Sequence, residues 1–205
     1  SGAMAEQILN ELQAQKVALK HYVIVDVSGS LRQRQQERLA RFGDVVQWAD
    51  RLPEQMQCVV VGNEVLDAMP VKLLVRKQGV WHERGVIEQE GAWAWQDHIT
   101  DLRPPLEPEG SHDYLTEIHP QAEAFIATLG QRLQQGQTYH PQRHMGTVMC
   151  HQAHQADDNP LLAVGQKDIT AHVNFTGIAE AAQAAGFDFL GYTNQGWFLL
   201  NAGIA

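Results

Sequence analysis

Polar side chains follow three apolar runs of the sequence, at the points where strands of an α/β sheet would end. Asp26 ends the first run, Trp48-Ala49-Asp50 ends the second, and Asn63-Glu64 with Asp67 follows the third. Ligands of open α/β sheets bind beyond the carboxyl ends of the strands. These side chains are therefore the first candidates for a binding site.

Asp26 has the spacing of a nucleotide-binding acid. In Rossmann-like sites an acidic residue roughly 20 positions beyond a glycine-bearing helix start accepts hydrogen bonds from two ribose hydroxyls. The spacing from Gly2 to Asp26 fits this pattern. A carboxylate near a helix N-terminus also stabilises the helix dipole. The residues alone leave nucleotide binding and helix stabilisation equally open.

The segment Gly62–Pro70 brings an amide and two carboxylates into one turn, through Asn63, Glu64 and Asp67. These groups are suited to hold a substrate amine or guanidinium. Local capping explains them as well, with Asn63 turning the chain and Glu64 or Asp67 starting a short helix. From the chemistry alone, capping is the favoured interpretation.

Histidines and aspartates crowd into one later stretch, consisting of His140, His144, His151, His154, Asp157 and Asp158. Zinc sites show firmer ligand spacing and a further ligand on a defined element. These residues instead spread over a loop and a strand whose side chains alternate between faces. We predict no metal site.

Apolar periodicity places the first candidates on alternating helices and strands. It predicts helices over Met4–Leu19 and Ser28–Leu39, and strands over Tyr22–Val27, 44–48 and 57–62. Strands that alternate with helices imply crossover connections and a mainly parallel sheet.

The second half of the chain starts with an excursion from this alternation. The pattern predicts a β-hairpin of Leu73–Val75 and Val80–Val86, helices over Ile118–Leu133 and Phe175–Ala185, and strands over Thr147–Cys150, Phe187–Tyr192 and Trp197–Leu200. The last two strands are joined by a short turn, so we expect them to be antiparallel. Trp81, Trp93 and Trp95 on the excursion fit a partner surface or, as we favour, a cover for the sheet edge.

Composition limits the class of protein. We expect the 205 residues, 44% of them hydrophobic, to form one domain over 1–205, with the hairpin and loop of about 72–115 inserted. A net charge of −9 argues against nucleic-acid binding, and the apolar runs are too short to span a bilayer. Cys58 and Cys150 lie in apolar runs, which predicts buried thiols in a reducing, intracellular compartment.

Several segments match the motifs of one known family. Gly62–Val71 is similar to a GNE-x-x-DA-x-PV signature, and Tyr22–Gln35 is similar to a Y-x-IVE-x-S-x-x-LR-x-x-Q run. Asp168–Phe175, followed by Gly191–Gln195 and Phe198-Leu199, is similar to DITAHVDF and T-x-Q-x-x-FL segments in the same order. Together these segments resemble the MidA family of class I S-adenosylmethionine-dependent methyltransferases.

The resemblance implies a Rossmann-like fold, in which a mostly parallel seven-stranded sheet carries an antiparallel last strand. It implies S-adenosylmethionine as the cofactor and S-adenosylhomocysteine as the product. Mitochondrial relatives are linked to respiratory complex I assembly through methylation of a protein arginine, so it also implies a protein substrate of that kind. The location would be the cytoplasm of a bacterium or the mitochondrial matrix, and a homodimer is left open.

The resemblance also assigns site residues. The cofactor-binding residues would be Gly2, Asp26, Val27, Ser28, Trp48, Ala49 and Asn63. Asp26 would hold the ribose, Trp48 and Ala49 would border the adenine, and Asn63 would border the methionine end. We predict that Glu64 and Asp67 are the catalytic residues that orient the acceptor guanidinium.

The sequence also departs from the family pattern. Ser1-Gly2 resembles the tail of a glycine-rich cofactor loop, and a strand ending in Asp-Tyr-Gly has no counterpart near Gly136. A sheet without its central strand would leave buried strands unpaired, so we expect that stretches of the polypeptide are omitted. Two other functions stay open: an inactive methyltransferase fold that acts as an interaction or assembly factor, and a nucleotide-dependent oxidoreductase that shares the acid at Asp26.

Overall fold

The computed structural model describes residues 1–62, 64–133, 149–152, 155–157 and 159–188. The chain divides into two compact units, Ser1–Met56 and Gln57–Ala205. None of the helices in the described ranges is long and apolar enough to cross a membrane.

The first unit alternates helices and strands. It consists of α1 (Ala3–Ala14), β1 (Tyr22–Val25), α2 (Gly29–Leu39), a 3₁₀ segment (Ala40–Val45) and β2 (Val46–Ala49). The two strands pair in parallel, with Tyr22 opposite Val46 and Val25 opposite Ala49. The predicted order and the parallel pairing are both confirmed here, although α1 ends at Ala14 rather than at Leu19.

Local sequence signals explain why these elements form. The hydroxyl oxygen of Ser28 accepts a hydrogen bond from the Leu31 N–H at 3.4 Å, so Ser28 is the N-cap of α2 as predicted. One apolar face of each helix closes on the strands, and the buried core consists of Ala5, Leu9, Leu39, Phe42 and Val46. The cap and the core together fix where α2 lies against β1 and β2.

The described residues of the second unit form two antiparallel sheets and two helices. Its elements are β3 (Lys72–Lys77), β4 (Val80–Gln89), β5 (Ala92–Ile99), β6 (Tyr114–Ile118), α3 (Pro120–Arg132), β7 (Met149–Gln152), β8 (Gln155–Asp157), β9 (Asp168–Thr170) and α4 (Phe175–Ala184). One sheet has the order β5-β4-β3-β6 and the other the order β8-β7-β9. All of these pairings are antiparallel.

Two tight turns build the predicted hairpin and extend it by one strand. Gln78-Gly79 joins β3 to β4, and Glu90-Gly91 joins β4 to β5. All four residues have positive φ, from 47° at Gln78 to 80° at both glycines. Two-residue loops with two positive φ angles match the right-handed twist of the flanking strands. The Gln78-Gly79 sequence thereby sets the register of β3 against β4.

The inner face of the four-stranded sheet holds one buried hydrophobic cluster of this unit. Leu74, Trp81 and Ile118 are buried together there, with Leu102 and Tyr114 packed against them. Trp81 is only 3% exposed. It is therefore a core residue and unavailable as a partner surface.

Several predicted elements differ from the structure. The third strand, 57–62, is wrong: no strand forms there, and Val59 is 89% exposed. An apolar run becomes a strand only where another strand pairs with it, and within the described residues none pairs with this run. Cys58 is exposed for the same reason, whereas Cys150 is buried as predicted.

Three short strands, β6, β8 and β9, were missed, and part of the prediction falls outside the described residues. β6 immediately precedes the predicted helix, and β9 has only three residues within a polar stretch. The predicted closing strands beyond Asp188 lie outside the described residues, as does most of the histidine stretch. The α/β class is confirmed, while the sheets among the described residues are mostly antiparallel.

His119, at the start of α3, is fully buried. Burial lowers the pKa of its imidazole, and the Glu117 carboxylate and the His172 backbone oppose that effect only in part. Removing a histidine from water disfavours its charged form. His119 is therefore held neutral inside the second unit.

Protonation of His119 is expected to destabilise the protein below about pH 6.5. The unfolded chain binds a proton near the ordinary histidine pKa of about 6.5, whereas the folded chain binds it only at lower pH. The contribution of His119 to the free energy of unfolding is thus complete above that pH and is lost below it, by up to about 1.4 kcal/mol per pH unit. Urea unfolding at pH 7.5, 6.5 and 5.5 measures this slope.

The variant His119→Asn should show a shallower loss of stability between pH 6.5 and 5.5 than the wild type. His98→Asn is the matched control, because His98 is exposed on β5. Equal slopes for His119→Asn and the wild type would contradict the prediction.

Candidate functional site

The carboxylate of Asp26 is held by two hydrogen bonds at the end of β1. The backbone N–H of Ser28 donates to its Oδ1 at 2.9 Å, and the side-chain amide of Gln35 donates to its Oδ2 at 2.7 Å. Each carboxylate oxygen has about two acceptor positions, so one stays available on each. The half-buried Asp26 is therefore fixed in direction and still able to accept two hydroxyl groups.

Gln35 connects this carboxylate to an aromatic ring. Its side chain is buried on α2, and its amide oxygen accepts a hydrogen bond from the Trp48 indole Nε1 at 3.1 Å. Because the amide nitrogen donates to Asp26 and the oxygen accepts from Trp48, only one orientation of the amide satisfies both bonds. Asp26, which follows β1, and Trp48, which lies on β2, are thus positioned by one residue.

A second set of bonds fastens the ends of the two strands. The Asp26 N–H donates to the Ala49 carbonyl oxygen at 3.3 Å, which continues the parallel pairing. The Arg32 guanidinium donates to the Asp26 carbonyl oxygen at 2.9 Å and also pairs with the Asp50 carboxylate. The strand ends beside the Asp26 carboxylate are therefore held by both the backbone and a side chain.

Gly2 lies next to α2, at the start of α1. It has a φ of 79°, in the left-handed region that favours glycine. A Cβ atom at this position would lie 3.4 Å from the Gln35 Cα. A glycine here lets the start of α1 approach the part of α2 that carries Gln35.

A cavity of about 230 Å³ lies in the second unit. It is lined by Asp67, Ala68, Met69, Pro70, Val71, Ile169, Thr170 and Ala171. The Ala171 N–H donates to the Asp67 carbonyl oxygen at 3.2 Å and so ties the two lining segments together. Residues 67–71 and 169–171, which both lie in segments that match the family motifs, therefore line one cavity.

The cavity has a mainly apolar lining and one acid. Asp67 is the only ionisable residue among the described residues that line it. The volume is below the roughly 300–1,000 Å³ of pockets that enclose whole small molecules. Its size and its acid suit the end of a positively charged side chain.

Glu64 has a different position from Asp67. It is exposed, has a φ of 51°, and is absent from the described lining of the cavity. Asn63 lies outside the described residues. The structure therefore brings Asp67, but not Glu64, to the cavity.

Comparison with known proteins decides the family. Residues 1–193 match the model of a family described as "Putative S-adenosyl-L-methionine-dependent methyltransferase". The chain belongs to this family. Among proteins with curated functions, none matches the chain significantly.

Two solved structures from Burkholderia thailandensis resemble this methyltransferase family member. One is an uncharacterized protein, 43% identical, with a TM-score of 0.85. The other, also 43% identical, has a TM-score of 0.83 and is described as a "likely methyl transferase" bound to S-adenosyl-homocysteine. The comparisons cover 99% of this chain but only 60% and 58% of those chains, so this chain spans about three fifths of their length.

The family bears out the predicted cofactor, S-adenosylmethionine. The residues at the end of β1 are compatible with it, because the fixed Asp26 carboxylate keeps acceptor positions for two ribose hydroxyls. The part of the cofactor site predicted in the first unit also gathers around this point: Ala49 continues the strand pairing, Ser28 caps α2, and Val27 is 90% exposed.

Gln35 is the candidate site residue that sequence reasoning missed. It is the last residue of the Tyr22–Gln35 run, and the resemblance assigns no role to this position. The signal was its spacing: a polar residue nine positions after Asp26 and two turns into α2 can reach back to the strand end. An amide on that face is a candidate partner for the carboxylate.

Proposed function

We propose that this family member binds S-adenosylmethionine at the end of β1 and belongs to a protein that methylates an arginine of a partner protein. The observation that carries the proposal is the Asp26 carboxylate, aimed by Ser28 and Gln35 while keeping free acceptor positions. The finer fold goes with it: one MidA-type domain over 1–205, with a mostly parallel seven-stranded sheet, an antiparallel last strand and an insertion at about 72–115.

In this proposal the first unit binds the nucleoside part of the cofactor. Asp26 accepts hydrogen bonds from the two ribose hydroxyls, and a charged acceptor makes these bonds stronger than neutral ones. Trp48 and Ala49 border the adenine, while Gly2, Val27 and Ser28 line the approach. Gln35 holds the carboxylate without neutralising its charge.

The acceptor side belongs to the second unit. The sulfonium of the cofactor makes the methyl group electrophilic, so the protein mainly has to align donor and acceptor. Asp67 is proposed to hold the arginine guanidinium at the cavity, since a carboxylate and a guanidinium form paired hydrogen bonds. Asn63 is proposed at the methionine end, and Glu64 as a second carboxylate for the guanidinium.

The partner and the location are proposed from the family resemblance. The partner is a subunit of a respiratory complex, and the place is the bacterial cytoplasm or the mitochondrial matrix. Co-purification of the tagged protein with respiratory complex subunits from its native cells would test this.

Asp26→Asn is expected to weaken the binding of S-adenosylhomocysteine by about tenfold. The variant loses the charge, and its amide would face the amide of Gln35, so the hydroxyl acceptors are weakened and misaligned. Isothermal titration calorimetry on the intact protein measures the change. Gln35→Leu should give a smaller loss, because it removes only the positioning of Asp26 and Trp48.

Asp44→Asn is the matched control, since Asp44 is an exposed acid of the same unit. Wild-type affinity in Asp26→Asn would contradict the assignment of the ribose site. Absence of cofactor binding by the intact wild type would favour an inactive interaction factor. Binding of NADH instead of S-adenosylhomocysteine would favour an oxidoreductase.

A further inference from the structure

The outer half of the β4–β5 hairpin exposes two tryptophans on one face. Trp93 is 52% exposed and Trp95 is 38% exposed, and being two residues apart on β5 they point to the same side. Trp93 lies opposite Glu88 on β4, and Trp95 lies opposite Val86. Within the described residues β5 is the edge of its sheet. We call Val86, Glu88, Trp93 and Trp95 the hairpin face.

The charge of this half of the hairpin is negative and uncompensated. Residues 85–96 contain Glu88 and Glu90 but no lysine, arginine or histidine. At the inner end, by contrast, Asp97 is bound by Arg84 at 2.7 and 2.8 Å and by Lys77 at 2.6 Å. Hydrogen bonding from Arg84 holds the pKa of Asp97 well below its usual range. The acids of the outer half lack such partners among residues 85–96.

The hairpin already shows one contact between a guanidinium and these rings. The Arg84 guanidinium lies 5.8 Å from the centroid of the Trp95 ring. Tryptophan is the ring that attracts cations most strongly, and contacts within about 6 Å are favourable. No cation of the described residues lies over Trp93. The exposed ring of Trp93, with Glu88 opposite it, is therefore a ready second position for a guanidinium.

We infer that the hairpin face docks an arginine-bearing segment of a partner protein. A guanidinium can lie flat on the Trp93 ring while its N–H groups reach the Glu88 carboxylate. Arginine fits better than lysine because its charged group is planar, forked and weakly hydrated. We also infer that this partner is the methyl acceptor, and that part rests on the proposed function. The docking contacts themselves do not involve the cofactor.

A second copy of this chain is a less suitable occupant. Each chain carries a net charge of −9, which opposes self-association. Two hairpin faces brought together would also add the acids of both copies without adding a base from residues 85–96. Charge complementarity thus selects a basic partner.

Binding of a fluorescein-labelled (Gly-Arg)₄ peptide to the intact protein tests the inference. Fluorescence anisotropy without cofactor should show binding that weakens with salt, with weaker binding of (Gly-Lys)₄ and none of (Gly-Gln)₄. Trp93→Ala and Glu88→Gln should each weaken the (Gly-Arg)₄ complex by about five- to tenfold. Gln89→Ala is the matched control, because Gln89 is exposed on the opposite face of the same hairpin.

Absence of (Gly-Arg)₄ binding, or equal binding by Trp93→Ala, Glu88→Gln and Gln89→Ala at unchanged circular dichroism, would overturn the inference. Dimerisation in sedimentation runs that Trp93→Ala abolishes, without peptide binding, would overturn it in favour of a second copy. S-adenosylhomocysteine binding is measured in parallel. If the wild type binds the peptide but not S-adenosylhomocysteine, the proposed function alone is contradicted. If it binds S-adenosylhomocysteine but not the peptide, the docking role of the hairpin face alone is contradicted.

Discussion

Asp67→Asn is expected to lower kcat/KM for methyl transfer by about 10- to 150-fold. Asp67 is the only ionisable residue among the described residues that line the cavity. Its removal would cost the charge-assisted hydrogen bonds that we propose it makes to an acceptor guanidinium, worth roughly 1.5–3 kcal/mol. Transfer of tritiated methyl groups from S-adenosylmethionine to an arginine-containing acceptor peptide measures the effect.

The binding of S-adenosylhomocysteine should change little in Asp67→Asn, because the change lies on the acceptor side. Asp101→Asn is the matched control, since Asp101 is an exposed acid of the same unit. Unaltered methyl transfer by both Asp67→Asn and Glu64→Gln would refute the assignment of these two carboxylates.

Gly130→Val is expected to lower the free energy of unfolding of the second unit by at least about 2 kcal/mol. Gly130 lies on α3 where the chain after α4 packs against it. A Cβ atom there would contact the Ala185 Cβ and would lie 2.7 Å from a ring carbon of Phe187. α3 and the chain that follows α4 would have to move apart, and the close packing between them would be lost. Thermal unfolding followed by circular dichroism should show a midpoint lowered by about 4–8 °C.

Gly29→Val provides the comparison at a helical glycine without this constraint. A Cβ atom at Gly29 would meet nothing within 4 Å. Its effect on the free energy of unfolding should be limited to the difference in helix propensity, below about 1 kcal/mol. If Gly130→Val melted at the same temperature as Gly29→Val, the close approach at Gly130 would be refuted.

The first unit could be predicted from the sequence because its signals are local. Ser28 caps α2, and the apolar run Tyr22–Val25 has a neighbouring strand in β2. The run 57–62 has an equally apolar sequence and yet forms no strand. Pairing, unlike capping, depends on residues elsewhere in the chain. Periodicity alone could not separate these two cases.

The candidate site shows the same division. Asp26 was predicted from its place after an apolar run, but the role of Gln35 depends on which face of α2 meets the strands. The link between Asp67 and Ala171 joins segments that no local pattern connects. Those segments had been singled out by family resemblance, which carries tertiary information that spacing and composition lack.

The single amide of Gln35 has a consequence for how a nucleoside would be recognised. The Gln35 amide is bonded to both the Asp26 carboxylate and the Trp48 indole, so a shift of either group moves the other. In the proposed site, ribose at Asp26 and adenine beside Trp48 would be recognised cooperatively: adenosine should bind more tightly than the separate affinities of adenine and ribose would suggest. Analogues that lack the ribose or the adenine should lose more affinity than the missing group alone accounts for.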